Sequence, residues 1–78
     1  MIHVKFHNLL AERSMSDREE YDVPFEPGLR AVQLINREGF QGEEAEAIVV
    51  LVNDEQSTRA AVLNDGDRVE FLINMVGG

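Results

Sequence analysis

Apolar and polar residues alternate at the start of the chain. Ile2, Val4 and Phe6 fall on one side, and His3, Lys5 and His7 on the other. This period of two predicts a strand with one buried face. Residues 8–18 turn polar after Leu9-Leu10 and include Ser14, Ser16 and Asp17, so they read as a long hairpin connection. Alternation then resumes, with Tyr21, Val23 and Phe25 inward against Glu20, Asp22, Pro24 and Glu26. Pro24 has no N–H to give a ladder, which puts this second strand at a sheet edge.

Pro27-Gly28 breaks the strand, and residues 29–38 read as a helix. Leu29, Ala31, Val32, Leu34 and Ile35 cover one broad face, while Arg30, Gln33 and Arg37 share the other. Gly39 suits the position just past the helix end, and Phe40 is placed to fold back as an apolar plug. Residues 41–46 read as an acidic loop. Residues 47–52 form a continuous, largely β-branched apolar run, expected as a well-covered strand.

Asn53-Asp54 turns the chain into a very short strand over residues 55–58. Residues 59–63 are a connection with room for one turn of 3₁₀-helix. Asn64-Asp65-Gly66-Asp67 is a strong turn signal. Val69, Phe71 and Ile73 then alternate with Arg68, Glu70, Leu72 and Asn74 in the last strand. The order is β-β-α-β-(short β)-β, an α+β domain with one helix on one face of a four- or five-stranded mixed sheet. The first and last strands are the most strongly patterned, so they are expected as parallel neighbours in the middle.

The 78 residues make one domain, near the size where a single core supplies only about 3–5 kcal/mol. Cys is absent, which removes disulfide and thiolate chemistry. No run is long enough to span a bilayer, and the N-terminus does not read as a signal peptide. A cytoplasmic location is therefore expected. The net charge of −8 argues against nucleic acid, which needs a basic footprint. It suits solubility and permits a basic partner.

Self-contained chemistry is sparse. His3 and His7 lie ~13 Å apart on a strand, too far for one metal ion. Glu43, Glu44 and Glu46 lack the ligand spacing of a calcium loop, so no metal site is expected. Ser57 and Thr58 have no nearby His, and no phosphate-binding glycine motif is present. What remains is the end of the sequence, Met75-Val76-Gly77-Gly78. Taken alone, Gly77-Gly78 reads first as a frayed end, and without Cβ atoms it also makes a thin thread suited to a narrow channel in another protein.

From Leu63-Asn64-Asp65-Gly66-Asp67-Arg68-Val69, through a core strand to Val76-Gly77-Gly78, the chain resembles the β-grasp, ubiquitin-like sulfur carriers. That family includes the small subunit of molybdopterin synthase and the sulfur carrier of thiamine biosynthesis. Val52-Asn53 is a weaker match. The resemblance covers the whole chain in element order. It implies a β-grasp domain over residues 1–74 and a flexible tail over 75–78.

The resemblance also implies a mechanism in which the chain is a co-substrate and not an enzyme. An adenylyltransferase of the ubiquitin-activating type would adenylate Gly78 with its own ATP and Mg²⁺, with no cofactor bound to the carrier. A sulfur donor would then form a thiocarboxylate for a sulfur-accepting synthase subunit. Gly78 would react, Gly77 would complete the thread that carries it, and Arg68, Glu70, Leu72, Asn74, Met75 and Val76 would meet partners. Leu72, apolar on the polar side of its strand, is either a partner contact or buried against the short hairpin. The long first hairpin, residues 9–20, favours the molybdopterin branch. Ile73-Asn74-Met75, where that branch usually carries a proline pair, does not. The thiamine branch, a ubiquitin-like modifier joined to lysines, and a non-covalent interaction module are the alternatives.

Overall fold

The computed structural model describes residues 1–7 and 9–73. The expected domain boundary at Asn74 and the expected tail over 75–78 lie outside the described residues. Five strands form one sheet: β1 (Ile2–Phe6), β2 (Glu20–Val23), β3 (Ile48–Val52), β4 (Glu55–Ser57) and β5 (Arg68–Ile73). Among the described residues the helices are α1 (Leu9–Arg13), α2 (Ala31–Arg37) and α3 (Gly42–Glu46).

The strand order is β2-β1-β5-β3-β4. β1 and β5 run parallel, with Val4 opposite Val69 and Phe6 opposite Phe71. All other pairs are antiparallel. β5 is thus central, and the Pro24-flanked strand β2 is an edge, as the sequence predicts.

The alternating patterns bury Ile2, Val4, Phe6, Val50, Val69 and Phe71 on one sheet face, under Leu34 and Ile35 of α2. Phe6 is the centre of an aromatic cluster. Its ring lies 4.7 Å from Phe71, 5.9 Å from Phe40 and 6.4 Å from Tyr21 between centroids. Phe40 is the expected plug behind α2. Leu63 closes the core ahead of the Asn64–Asp67 turn.

Several expectations need correction. The long hairpin connection contains a turn of helix, α1, because Leu10 has a core site to fill. The acidic loop over 41–46 is helical too: Ala45 is buried, and Glu43 and Glu44 sit in the first turn, where acidic side chains favour a helix. α2 starts at Ala31 instead of Leu29, because Arg30 is extended and bridges to Val62. Ahead of that bridge the expected turn is present, with the Ala61 amide donating to the Thr58 carbonyl at 3.1 Å. β2 ends at Val23, so Phe25 is 37% exposed and not inward. β3 begins at Ile48, since Ala47 still caps α3. It is covered on one face only, with Val49 and Leu51 half-buried.

Two polar clusters hold the loops. Glu38, buried at the end of α2, accepts hydrogen bonds from Tyr21 Oη (2.5 Å), Ser16 Oγ (2.7 Å) and the Ser16 amide (2.9 Å). Burial works against its charge, but these donors outweigh it and hold the carboxyl below the usual range. Burial, and then the bond to Glu38, pushes the Tyr21 hydroxyl well up.

The second cluster fixes the start of β5. Asp67 is buried, and its carboxylate accepts from the Asn64 amide (2.8 Å) and Asn53 Nδ2 (2.9 Å). Asn53 Oδ1 in turn accepts from the Arg68 amide at 3.0 Å, and the Asn53 amide donates to the Arg68 carbonyl at 2.8 Å. Asn53 and Asp54 both adopt positive φ, as a two-residue hairpin turn requires. Gly66 has φ 91°, a conformation that costs glycine little.

Asp67→Asn should cost about 1–3 kcal/mol, because the new amide turns a donor toward groups that themselves donate. Asp65→Asn, at an exposed carboxylate paired with the Met1 amine, should change stability by less than about 1 kcal/mol. Urea denaturation midpoints of the two variants check the contrast.

Candidate functional site

β5 joins the anchored turn to the end of the sequence. Its inward residues Val69 and Phe71 are buried, so its outward residues Arg68, Glu70 and Leu72 belong to the open face of the sheet. The pairing register builds this open face in rows. Glu20, Lys5, Glu70, Leu51 and Gln56 align across the sheet. Asp22, His3 and Arg68 form the row on the side of the Asn64–Asp67 turn. Leu72 and Val49 form the row toward the tail.

The β1–β2 side of this face is charged and the β3 side apolar. His3 bonds two carboxylates at once, Asp22 through Nδ1 and Glu20 through Nε2, each at 2.8 Å. Two acceptors require both ring nitrogens to carry hydrogen, which is the cationic form. The hydrogen bonds to Asp22 and then Glu20 raise the His3 pKa above its usual 6.5. His7 Nε2 meets Glu70 at 2.9 Å, and Arg68 donates to Asp54 at 2.7 Å. A hollow of about 210 Å³ lies among His3, Lys5, Glu20, Asp54, Arg68 and Glu70.

On the other side, Val49, Leu51 and Leu72 are neighbours and half-buried. Leu72 lies beside β3, across from Val49. A larger groove of about 470 Å³ between Val32 and the β3–β4 hairpin has Arg59 as its one charged lining side chain. Among the described residues no group of three or more His, Cys, Asp or Glu side chains is arranged to hold a metal ion.

Of the residues singled out from the sequence, Arg68, Glu70 and Leu72 share this face. Asn74, Met75, Val76, Gly77 and Gly78 lie outside the described residues. Sequence reasoning missed Lys5, Val49 and Leu51 as members of the same surface. Their period-two positions were visible, but joining them to β5 required the register.

The sequence matches the ThiS family over residues 9–78, through both terminal glycines. The chain belongs to the ThiS family. This makes it a β-grasp protein of the ubiquitin-like sulfur-carrier or modifier kind, small and non-catalytic. Solved structures with the same fold include SAMP1 from Haloferax volcanii, with TM-score 0.74 and 18% identity over 99% of this chain and 98% of that one. Urm1 from Trypanosoma brucei has TM-score 0.66 and 23% identity, covering 99% and 94%. The complex of subunits 1 and 2 of the molybdopterin-converting factor from Helicobacter pylori gives TM-score 0.63 and 17% identity, covering 99% and 97%. No curated protein matches the chain by sequence. Among the described residues no helix of this ThiS-family protein is long and apolar enough to cross a membrane.

The clip at His3 gives a pH dependence with a definite sign. Its folded pKa lies above the unfolded value, so its contribution is full below about pH 6.5. That contribution is lost as pH rises through the folded pKa. The stability gap between the native protein and His3→Gln should shrink from about pH 5 to about pH 8, read by urea midpoints. A raised His3 ring titration in NMR, reduced in Asp22→Asn and reduced further when Glu20→Gln is added, is the direct check.

Proposed function

We propose that this chain carries sulfur as a thiocarboxylate on Gly78, for cofactor biosynthesis of the molybdopterin type. The observation that carries the reading is the family match running through Gly77-Gly78, separated by three residues from the end of a central strand anchored at its other end. A carboxylate is a poor electrophile until activated. An adenylyltransferase of the ubiquitin-activating type, using its own ATP and Mg²⁺, would form the acyl-adenylate. A sulfur donor would displace AMP and leave sulfur on the Gly78 carbonyl. The acceptor would be a synthase subunit, of the kind that accompanies subunit 1 in the Helicobacter pylori complex. We place these steps in the cytoplasm.

The chain's own contribution is positioning. Two glycines let the terminal carboxylate enter a narrow site and align with the ATP α-phosphate. The body would dock by its open face, with Arg68 and Glu70 setting charge and Leu72, beside Val49 and Leu51, giving apolar contact. Asn74, Met75 and Val76 would line the partner's groove. A thiamine-type acceptor uses the same tail and the same first step.

Deleting Gly78 should abolish sulfur transfer and leave the urea midpoint unchanged. Full transfer by the deletion variant would refute the carrier reading. Leu72→Asp should weaken binding to the activating enzyme by about ten-fold or more, the scale of a truncated central apolar contact. Calorimetric titration measures that change.

A further inference from the structure

The two edges of the sheet are built differently. β2 carries Glu20 and Asp22 and is followed by Pro24. Charged side chains and proline guard an edge against a further strand. β4, at the other edge, is Glu55-Gln56-Ser57, with no proline and Glu55 as its one charge.

The bonds of β3 fix which way the β4 backbone points. The Asn53 amide donates to the Arg68 carbonyl, so Asn53 faces β5. Backbone direction alternates along a strand. Val52 and Val50 therefore face the other way, toward their partners Glu55 and Ser57. Gln56, between these two, turns its amide and carbonyl away from the sheet. No loop backbone among the described residues bonds either group.

Two charges flank these free groups. Val50, opposite Ser57, is buried in the core, so Ser57 and Glu55 stand on the α2 side of the sheet. Arg59 lines the groove of about 470 Å³ against Val32, on the same side. Among the described residues neither Glu55 nor Arg59 has an ion pair within 4.0 Å. The other arginines are engaged. Arg13, Arg37 and Arg68 meet carboxylates, Arg18 lies over the Tyr21 ring, and Arg30 donates to the Ala60 carbonyl. Arg59 is half-buried, and a half-buried cation gains from a carboxylate brought to it.

We propose that β4 is a self-association edge, where a second copy of this chain pairs antiparallel about a two-fold axis at Gln56. The two Gln56 residues exchange amide-to-carbonyl bonds in both directions. Ser57 then lies opposite the Glu55 of the second copy. Arg59, two residues on, reaches that carboxylate along the diagonal. The axis repeats the contact, as in any isologous interface. β2 lacks this match, because a two-fold axis there sets acid against acid at Glu20 and Asp22. The interface is small, so the dissociation constant is on the order of 0.1–1 mM. Arg68, Glu70 and Leu72 belong to β5, two strands in from this edge, so the pair keeps both open faces uncovered. The pairing is independent of the sulfur-carrier reading.

Sedimentation equilibrium of the full chain tests this at about 0.15 M salt, where repulsion between two bodies of charge −8 is largely screened. Dimer should appear as the concentration rises through about 0.02–2 mM. Glu55→Arg and Arg59→Glu should each weaken it by about ten-fold or more, since each sets like charges together on both sides of the axis. The two substitutions combined should restore the native value, because they exchange the members of the same pair. In the native protein, hydrogen-exchange protection of the Gln56 amide should rise with concentration. A chain that stays monomeric overturns the proposal and leaves this edge to a strand of another protein. Equal dimerisation in both single variants overturns it too, as does a combined variant no stronger than the singles.

Discussion

The Asp67 carboxylate is the contact on which the placement of the central strand depends. It joins Asn64, which opens the turn before β5, to Asn53, which closes β3, and Asn53 then holds the first residue of β5. A buried carboxylate needs its acceptor sites filled by donors, and here the donors come from two loops that must meet. The central strand is therefore fixed at its start. It runs through the core as Val69 and Phe71 as far as Ile73. The Asp-Gly-Asp turn sets the direction of β5, and the core holds it there.

The sheet divides the work between its faces. One face is buried under α2 and packed around Phe6. The other carries a charged half on β1 and β2 and an apolar half where β3 meets the end of β5. The charges there are mostly satisfied within the face: His3 with Glu20 and Asp22, His7 with Glu70, Arg68 with Asp54. Exposed pairs of this kind add little stability, and their larger effect is to set the pattern a partner meets. Lys5 stands apart as the cation that these pairings pass over.

Much of this was legible in the sequence, because period-two alternation survives for as long as a strand does. β1, β5 and their parallel pairing followed from Ile2, Val4, Phe6, Val69 and Phe71. The helices α1 and α3 did not, since a single turn is too short to display a 3.6-residue period. Leu10 and Ala45 are buried by tertiary demand that no local pattern announces. Glu38 is only the last residue of the predicted helix in the sequence, and the approach of Ser16 and Tyr21 makes it a buried acceptor. The diglycine and the turn motif stood out as a spaced pair. The surface beside them did not, because membership in it depends on which strands lie side by side.

The central claim is that Gly78 is the reacting group, delivered by an anchored central strand. The most direct measurement is intact-mass spectrometry after incubation with an adenylyltransferase of the ubiquitin-activating type, ATP, Mg²⁺ and a sulfur donor. The account predicts that one oxygen is replaced by sulfur, with the change confined to the C-terminal fragment. An unchanged mass while the same mixture thiocarboxylates another carrier would contradict it.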